Sequence, residues 1–353
     1  MSVRTALIAL SGLWLAATAR AQVDAPAEDG AFQAFLGELR GMALERGIRA
    51  QTLDAILPGV RLHRRAVQAD RSQAEFVETY EVYLARRLTP QRIESGQALL
   101  AERGEMIREV AADYGVQPRF VIAIIGLESN YGTYPIDEPL FDVVATLAFD
   151  GRRGALFRAQ FFAALEIVDK GYATPEQMKS SWAGALGVPQ FTPTNVLDIA
   201  VDHDKDGRID LWNVGPDVIA SVARYLQRNG WSNDQTWGRA VTLPAGGEEA
   251  LAASMNDGAT PPSVCRSYQS LGAFRGLDDW QRLGVRGGDG GDLPKRNLPA
   301  ALVVGDSGDE RGWLVYRNFC SLMRYNPAFR YALTVGLLAD AIGDPPQPPT
   351  DAQ

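Results

Sequence analysis

One segment constrains the fold more than any other. Residues 118–132 read PRFVIAIIGLESNYG. From Phe120 to Leu127 the run is apolar almost all round. A helix with no polar face has to be buried on every side. The run ends on Glu128, then Ser129, Asn130 and the breaker Gly132. A carboxylate at the end of a buried helix costs free energy unless it is partnered or functional. Partial burial favours its neutral form, and an acid still protonated near neutral pH can serve as a general acid. A structural Glu held by an Arg or by backbone amides is the competing reading.

The rest of the chain is patterned for helices around such a core. Thr89-Pro90, Thr174-Pro175, Thr192-Pro193 and Asn326-Pro327 each set a capping oxygen before a proline, which suits helix starts. Phe32, Phe35, Leu36 and Leu39 form one apolar stripe; Phe329, Leu333, Leu337 and Leu338 form another. Strand-like runs are few: around Val241, Ala301–Val304 and Trp313–Tyr316. The expected fold is mainly α (α+β), with residues 244–312 as a loop-rich insertion holding a few strands. The 353 residues suffice for one or two domains.

Composition removes several function classes. With 35 basic against 43 acidic residues, the chain has no excess of charge for binding nucleic acid. The two histidines, His63 and His203, lie in basic and Asp-rich stretches that suit neither a hydrolase triad nor a zinc protease. Two cysteines cannot build a structural zinc site. Arg4, the apolar run 6–17 and Ala19-Arg20-Ala21 have the form of a secretory signal peptide cut before Gln22. An exported chain without a membrane anchor is expected. In an oxidising compartment Cys265 and Cys320 are permitted to pair, but spacing alone leaves that open.

Two further segments suggest a site. Residues 181–191, SWAGALGVPQF, form a small-residue loop closing on Gln190 and Phe191. Small residues let a ligand approach the backbone, and Gln offers a donor and an acceptor. Residues 202–210, DHDKDGRID, follow the EF-hand pattern, with oxygen ligands at positions 1, 3 and 5 and Gly at position 6. Position 12 is Asn213 rather than Glu, and Asp217 lies four residues on. Weak calcium affinity is expected, with His203 pointing away from the ion.

The ordered set IIGLESNYG, Arg152-Arg153, SWAGALGVPQF, DHDKDGRIDLWN, SVARYLQRNGW and YRNFCSLMRYNP resembles the lytic murein transglycosylase B family. The resemblance runs from about Phe32 to about Ile342. It implies a lysozyme-like α domain bearing the calcium loop, joined to a second α domain and a small β-containing part. The implied divisions are 1–21 signal peptide, 22–115 helical part, 116–240 catalytic core, 241–342 β-containing part with the closing helix, and 343–353 disordered tail.

The resemblance further implies cleavage of peptidoglycan glycan strands, with 1,6-anhydro ends and Glu128 as the single acid/base. Tyr83, Arg152, Arg153, Ser181, Gln190, Phe191, Tyr225, Tyr325, Asn326 and Tyr331 become substrate-binding residues. Asp202, Asp204, Asp206, the Arg208 carbonyl and Asp217 become Ca2+ ligands, with no organic cofactor. Val188-Pro189 depart from members that carry an aromatic and a Gly before the Gln. A water-using muramidase and a non-catalytic calcium-dependent wall-binding protein are the alternatives. Cell-wall synthesis or division proteins are the expected partners, and the sequence does not choose among them.

Overall fold

Capping oxygens start α-helices at two of the four expected places. Thr89 accepts from the Arg92 amide and Thr192 from the Asn195 amide, each ahead of a proline at the first helical position. Thr174 closes a capping box, but only a 3-10 turn follows. Asn326-Pro327 starts no helix: Asn326 ends the preceding one and accepts from the Ala328 amide at 3.1 Å. The computed structural model describes residues 25–72, 78–255, 258, 260–305 and 311–343. The signal-peptide and tail expectations lie outside the described residues, Gly343 apart.

The N-terminal part holds α1 (Ala25–Glu45), α2 (Ala50–Ile56), α3 (Arg64–Arg71), α4 (Tyr80–Arg87) and α5 (Pro90–Ala112). The middle holds α6 (Pro118–Ser129), α7 (Leu140–Asp150), α8 (Gly154–Asp169), α9 (Pro193–Ile199) and α10 (Pro216–Arg228). After them come α11 (Gly247–Met255), α12 (Leu277–Arg282), α13 (Arg317–Tyr325) and α14 (Phe329–Ile342). Strands β1 (Glu138–Pro139) and β2 (Lys179–Ser180) form a short antiparallel ladder. Strands β3 (Gly238–Thr242), β4 (Arg275–Gly276), β5 (Arg286–Gly287), β6 (Pro299–Val304) and β7 (Arg311–Val315) form one antiparallel sheet. Its order is β4-β6-β7-β3-β5, and the three longest strands fall where the sequence is strand-like.

A continuous buried core joins α1 through α10 to α13 and α14. At its centre Phe120 to Ile125 are 0% exposed, as an all-apolar helix requires. Truncating Ile122, Ile124 or Ile125 to Ala costs about 2–5 kcal/mol. The sheet sorts its side chains by the period of two. Ala301, Val303 and Val315 face the main core. Leu302, Leu314 and Tyr316 face a smaller cluster with Trp280. Cys265 and Cys320 are joined, with S–S 2.09 Å and Cα atoms 5.2 Å apart. The bond ties the loop-rich segment to α13, the helix that ends on Tyr325.

Candidate active site

The end of α6 is built to hold Glu128. Asn130 and Tyr131 are both left-handed, with φ of 49° and 59°. Such a conformation is costly for a bulky residue and persists only where its surroundings fix it. Tyr131 is fixed by two glycines. A Cβ at Gly126 would lie 2.6 Å from the Tyr131 ring, and one at Gly96 would lie 2.7 Å from its hydroxyl. That hydroxyl donates to the Arg92 carbonyl at 2.7 Å. Ser129 donates to the Ile125 carbonyl and accepts from the Gly132 amide. Sequence reasoning missed Tyr131. Its signal was Gly126, an isolated glycine inside an apolar helix, which usually marks close packing.

Glu128 is half-buried, and Tyr331 on α14 donates to its Oε1 at 2.6 Å. Burial raises its pKa to about 7, while the Tyr331 hydroxyl pulls it down. Among the described residues no second carboxylate and no cation contributes to that displacement. The group is therefore poised between acid and base near neutral pH.

Aromatic rings line the approach. Tyr331 and Tyr325 stack with centroids 6.3 Å apart, and Tyr325 lies 4.7 Å from Tyr225. Tyr325 donates to the Pro189 carbonyl and Tyr225 to the Arg324 carbonyl, so both rings are pinned. Phe191 is 1% exposed and packs on both. It supports the tyrosines and offers no face to a ligand, which corrects its expected contact with substrate. Tyr83 on α4 has its hydroxyl pKa raised, first by burial and in lesser part by the Glu128 charge. Asn326 is exposed just beyond Tyr325.

The small-residue loop closes on itself. Ser181 accepts from the Ala185 amide through Oγ, and its own amide donates to the Ala185 carbonyl at 2.9 Å. Gln190 is left-handed at φ 52° and donates to the Gly187 carbonyl at 2.9 Å. Two glycines here serve packing and not ligand approach. A Cβ on Gly184 would lie 2.7 Å from Val144, and one on Gly187 would strike the Leu211 carbonyl.

Arg152 and Arg153 are engaged elsewhere. Both close on Asp70 of α3, which is 2% exposed; Arg152 Nε lies 2.7 Å from its Oδ2. A buried carboxylate needs such partners. The structure thus gives the pair a clasp between α3 and the α7–α8 turn, although each side chain keeps an exposed part.

The aspartate loop folds as its spacing requires. Lys205 and Gly207 take positive φ, and Asp202 accepts from the Gly207 amide at 2.9 Å. Asp202, Asp204 and Asp217 bring carboxylate oxygens within 4.8 Å of one another. Asp217 is held by the His203 and Asp210 amides, and burial raises its pKa. Three converging carboxylates suit a hard cation such as Ca2+. Asp206 lies outside that group and accepts from the Arg208 amide at 2.8 Å. The Asn213 amide is taken by Asp210, and His203 turns toward Asp113 and Tyr114.

A mainly α fold with Glu128, its pKa raised to about 7, at the end of a buried helix and bonded to one of a row of tyrosines, defines a lysozyme-like protein. Residues 31–340 match the family of the transglycosylase SLT domain, and the chain belongs to that family. Over 267 residues it is 29% identical to membrane-bound lytic murein transglycosylase B of Escherichia coli, spanning 74% of this chain and 66% of that protein. The structure of SltB3 from Pseudomonas aeruginosa in complex with NAG-anhNAM-pentapeptide is 38% identical, with a TM-score of 0.79 over 88% of this chain and 79% of that one. An Escherichia coli lytic transglycosylase solved in complex with calcium shares the fold at 24% identity and a TM-score of 0.70, covering 90% and 93% of the two chains. No helix among the described residues is long and apolar enough to cross a membrane.

Proposed function

We propose that this protein is a lytic transglycosylase that cleaves the β-1,4 bond between N-acetylmuramic acid and N-acetylglucosamine in peptidoglycan strands. The observation that carries the reading is Glu128, raised to about 7 with no second carboxylate contributing. Most glycosidases need two carboxyl groups flanking the bond. One group that is half-protonated near neutral pH can supply both the acid and the base step in turn.

Protonated Glu128 donates its proton to the glycosidic oxygen as the bond breaks. The N-acetyl oxygen of the muramyl residue stabilises the positive charge at the anomeric carbon, oriented by the Ser181 hydroxyl. That hydroxyl accepts from the Ala185 amide, which leaves its proton for an acceptor. The Glu128 carboxylate then takes the proton of the muramyl 6-hydroxyl, whose oxygen closes on the anomeric carbon. The product is a 1,6-anhydro end, and no water is consumed. The Tyr331 hydroxyl steadies the carboxylate between the two steps. Tyr83, Tyr225, Tyr325, Gln190 and Asn326 form the sugar-facing wall, with Phe191 behind it. Arg152 and Arg153 keep their exposed parts for the peptide-bearing side.

In this reading Asp202, Asp204 and Asp217, with Asp206 and the Arg208 carbonyl, would hold a structural Ca2+. These residues lie in and beside the loop ahead of α10, the helix that carries Tyr225. The signal-like residues 1–21 direct the chain to the periplasm. The helical part 22–115 then walls the core 116–240, and 241–342 closes the groove from the other side.

Product mass tests the reading. Sacculi digested with the protein are expected to yield muropeptides lighter by one water and not reducible by borohydride at the muramyl end. Reducible muramyl ends would make it a water-using muramidase. Glu128→Gln is expected to release nothing while remaining folded, and near-normal release by that variant would refute the assignment.

A further inference from the structure

His63 holds three contacts that none of the roles above uses. Its amide donates to the Thr146 hydroxyl of α7 at 2.8 Å. Its Nδ1 accepts from the Ala66 amide at 3.2 Å and so caps the start of α3. Its Nε2 lies 2.8 Å from Glu138 Oε2 in β1. A ring nitrogen that accepts from an amide carries no proton, so the imidazole proton sits on Nε2 and is donated to the carboxylate. Two partners from different parts of the chain thus fix the tautomer.

Strand β1 in turn sets the strand that leads to Ser181. It pairs with β2, with Glu138 opposite Ser180 and Pro139 opposite Lys179. A ladder this short does not hold its own register. What holds it is the Glu138 end: among the described residues, His63 makes the one hydrogen bond to that carboxylate. Ser180 is fully buried, and its hydroxyl donates to the Ser181 carbonyl at 2.9 Å. Ser180 also bridges Leu186, just past Ala185, the residue on which Ser181 closes the loop. A shift of β1 is therefore passed to Ser181 through the backbone.

We propose that His63 is a positioning residue for cleavage at Glu128, donating through Nε2 to Glu138 so that the β1–β2 ladder holds the Ser181 hydroxyl in place. The inference rests on the glycan-strand reading above, in which Ser181 orients the N-acetyl group of the substrate. His63 touches no substrate and transfers no proton; its part is geometry.

The α3 cap and the Glu138 contact can be separated, because two replacements each reproduce one nitrogen of the ring. His63→Asn keeps a capping acceptor near the place of Nδ1 and has no group that reaches Glu138. His63→Gln sets an amide N–H near the place of Nε2 and loses the cap. For a merely structural histidine, activity follows stability, and the two variants rank alike on both. The positioning role ranks them oppositely. His63→Asn is expected to unfold close to the wild-type temperature and to lose about fivefold to tenfold in kcat, with KM changed less than about twofold. His63→Gln is expected to unfold at a lower temperature and to recover most of the lost kcat. On a Ser181→Ala background, His63→Asn is expected to cause less than about twofold further loss, because the group it positions is gone. An unchanged kcat in His63→Asn, a kcat that falls with the unfolding temperature in both variants, or the full loss repeated on the Ser181→Ala background each overturns the role. Rates are read as strand cleavage, whatever ends are formed. Reducible muramyl ends from the wild type would thus refute the transglycosylase reading, while the ranking of the two variants still decides the part of His63.

Discussion

Replacing Glu128 by Gln should change stability in a pH-dependent way whose size follows from the site. Folding raises the Glu128 pKa from 4.5 to about 7. At about 1.4 kcal/mol for each tenfold change in proton affinity, ionising it in place opposes folding by up to about 3 kcal/mol. A raised carboxyl contributes its full stability below pH 4.5 and loses it as pH rises through about 7. Glutamine keeps the shape of the protonated acid and an oxygen for the Tyr331 hydroxyl, and it does not titrate. The variant's advantage over the wild type should be small at pH 5 and larger at pH 9. Water at the open side of the cleft reduces the gain to about 1–3 kcal/mol. Urea midpoints of both proteins at the two pH values measure it, because every other titrating group cancels in the difference. An equal difference at pH 5 and pH 9 would refute a buried, raised Glu128, and with it the argument that one group serves as acid and base.

Tyr331→Phe removes the bond that lowers the Glu128 pKa, so the alkaline limb of kcat should move to higher pH; an unmoved limb counts against the contact. Gly126→Ala drives a Cβ into the Tyr131 ring and should cost about 1–3 kcal/mol, read as a lower urea midpoint, with a larger fall in kcat than in KM. Reducing or replacing the Cys265–Cys320 bond opens a loop of 55 residues, worth about 4 kcal/mol in the chain-entropy account; calorimetry with and without reductant measures it. Millimolar calcium should raise the unfolding temperature of the wild type and not that of Asp202→Asn/Asp217→Asn. A gain surviving in that variant would place the ion elsewhere.

Much of this protein is written locally. The run 120–127 is apolar on every face, so it had to be a central helix, and its Glu128 had to sit at the rim. Aspartates at alternate positions with Gly207 set a turn in which Asp202 accepts from the Gly207 amide. The longer strands follow from short runs rich in Val, Leu and Trp. These features depend on neighbours in the chain, and neighbours are what a sequence displays.

Tertiary structure decided the rest, because it depends on which distant residues meet. Tyr331 bonds Glu128 across 203 residues, and no spacing rule reaches that far. Phe191 looked like a sugar contact and became core once Tyr225 and Tyr325 covered it. Asn326 looked like a helix cap and became a linker, because α14 begins at Phe329. Arg152 and Arg153 closed on Asp70, since a carboxylate buried by packing must find cations. Gly126 and Gly96 acquired their meaning only when the Tyr131 ring passed between them. The sequence by itself determined which helix is buried and which acid stands at its end. The fold alone decided the partners of that acid, because burial and a single tyrosine hydroxyl, both set by long-range packing, bring its pKa to about 7.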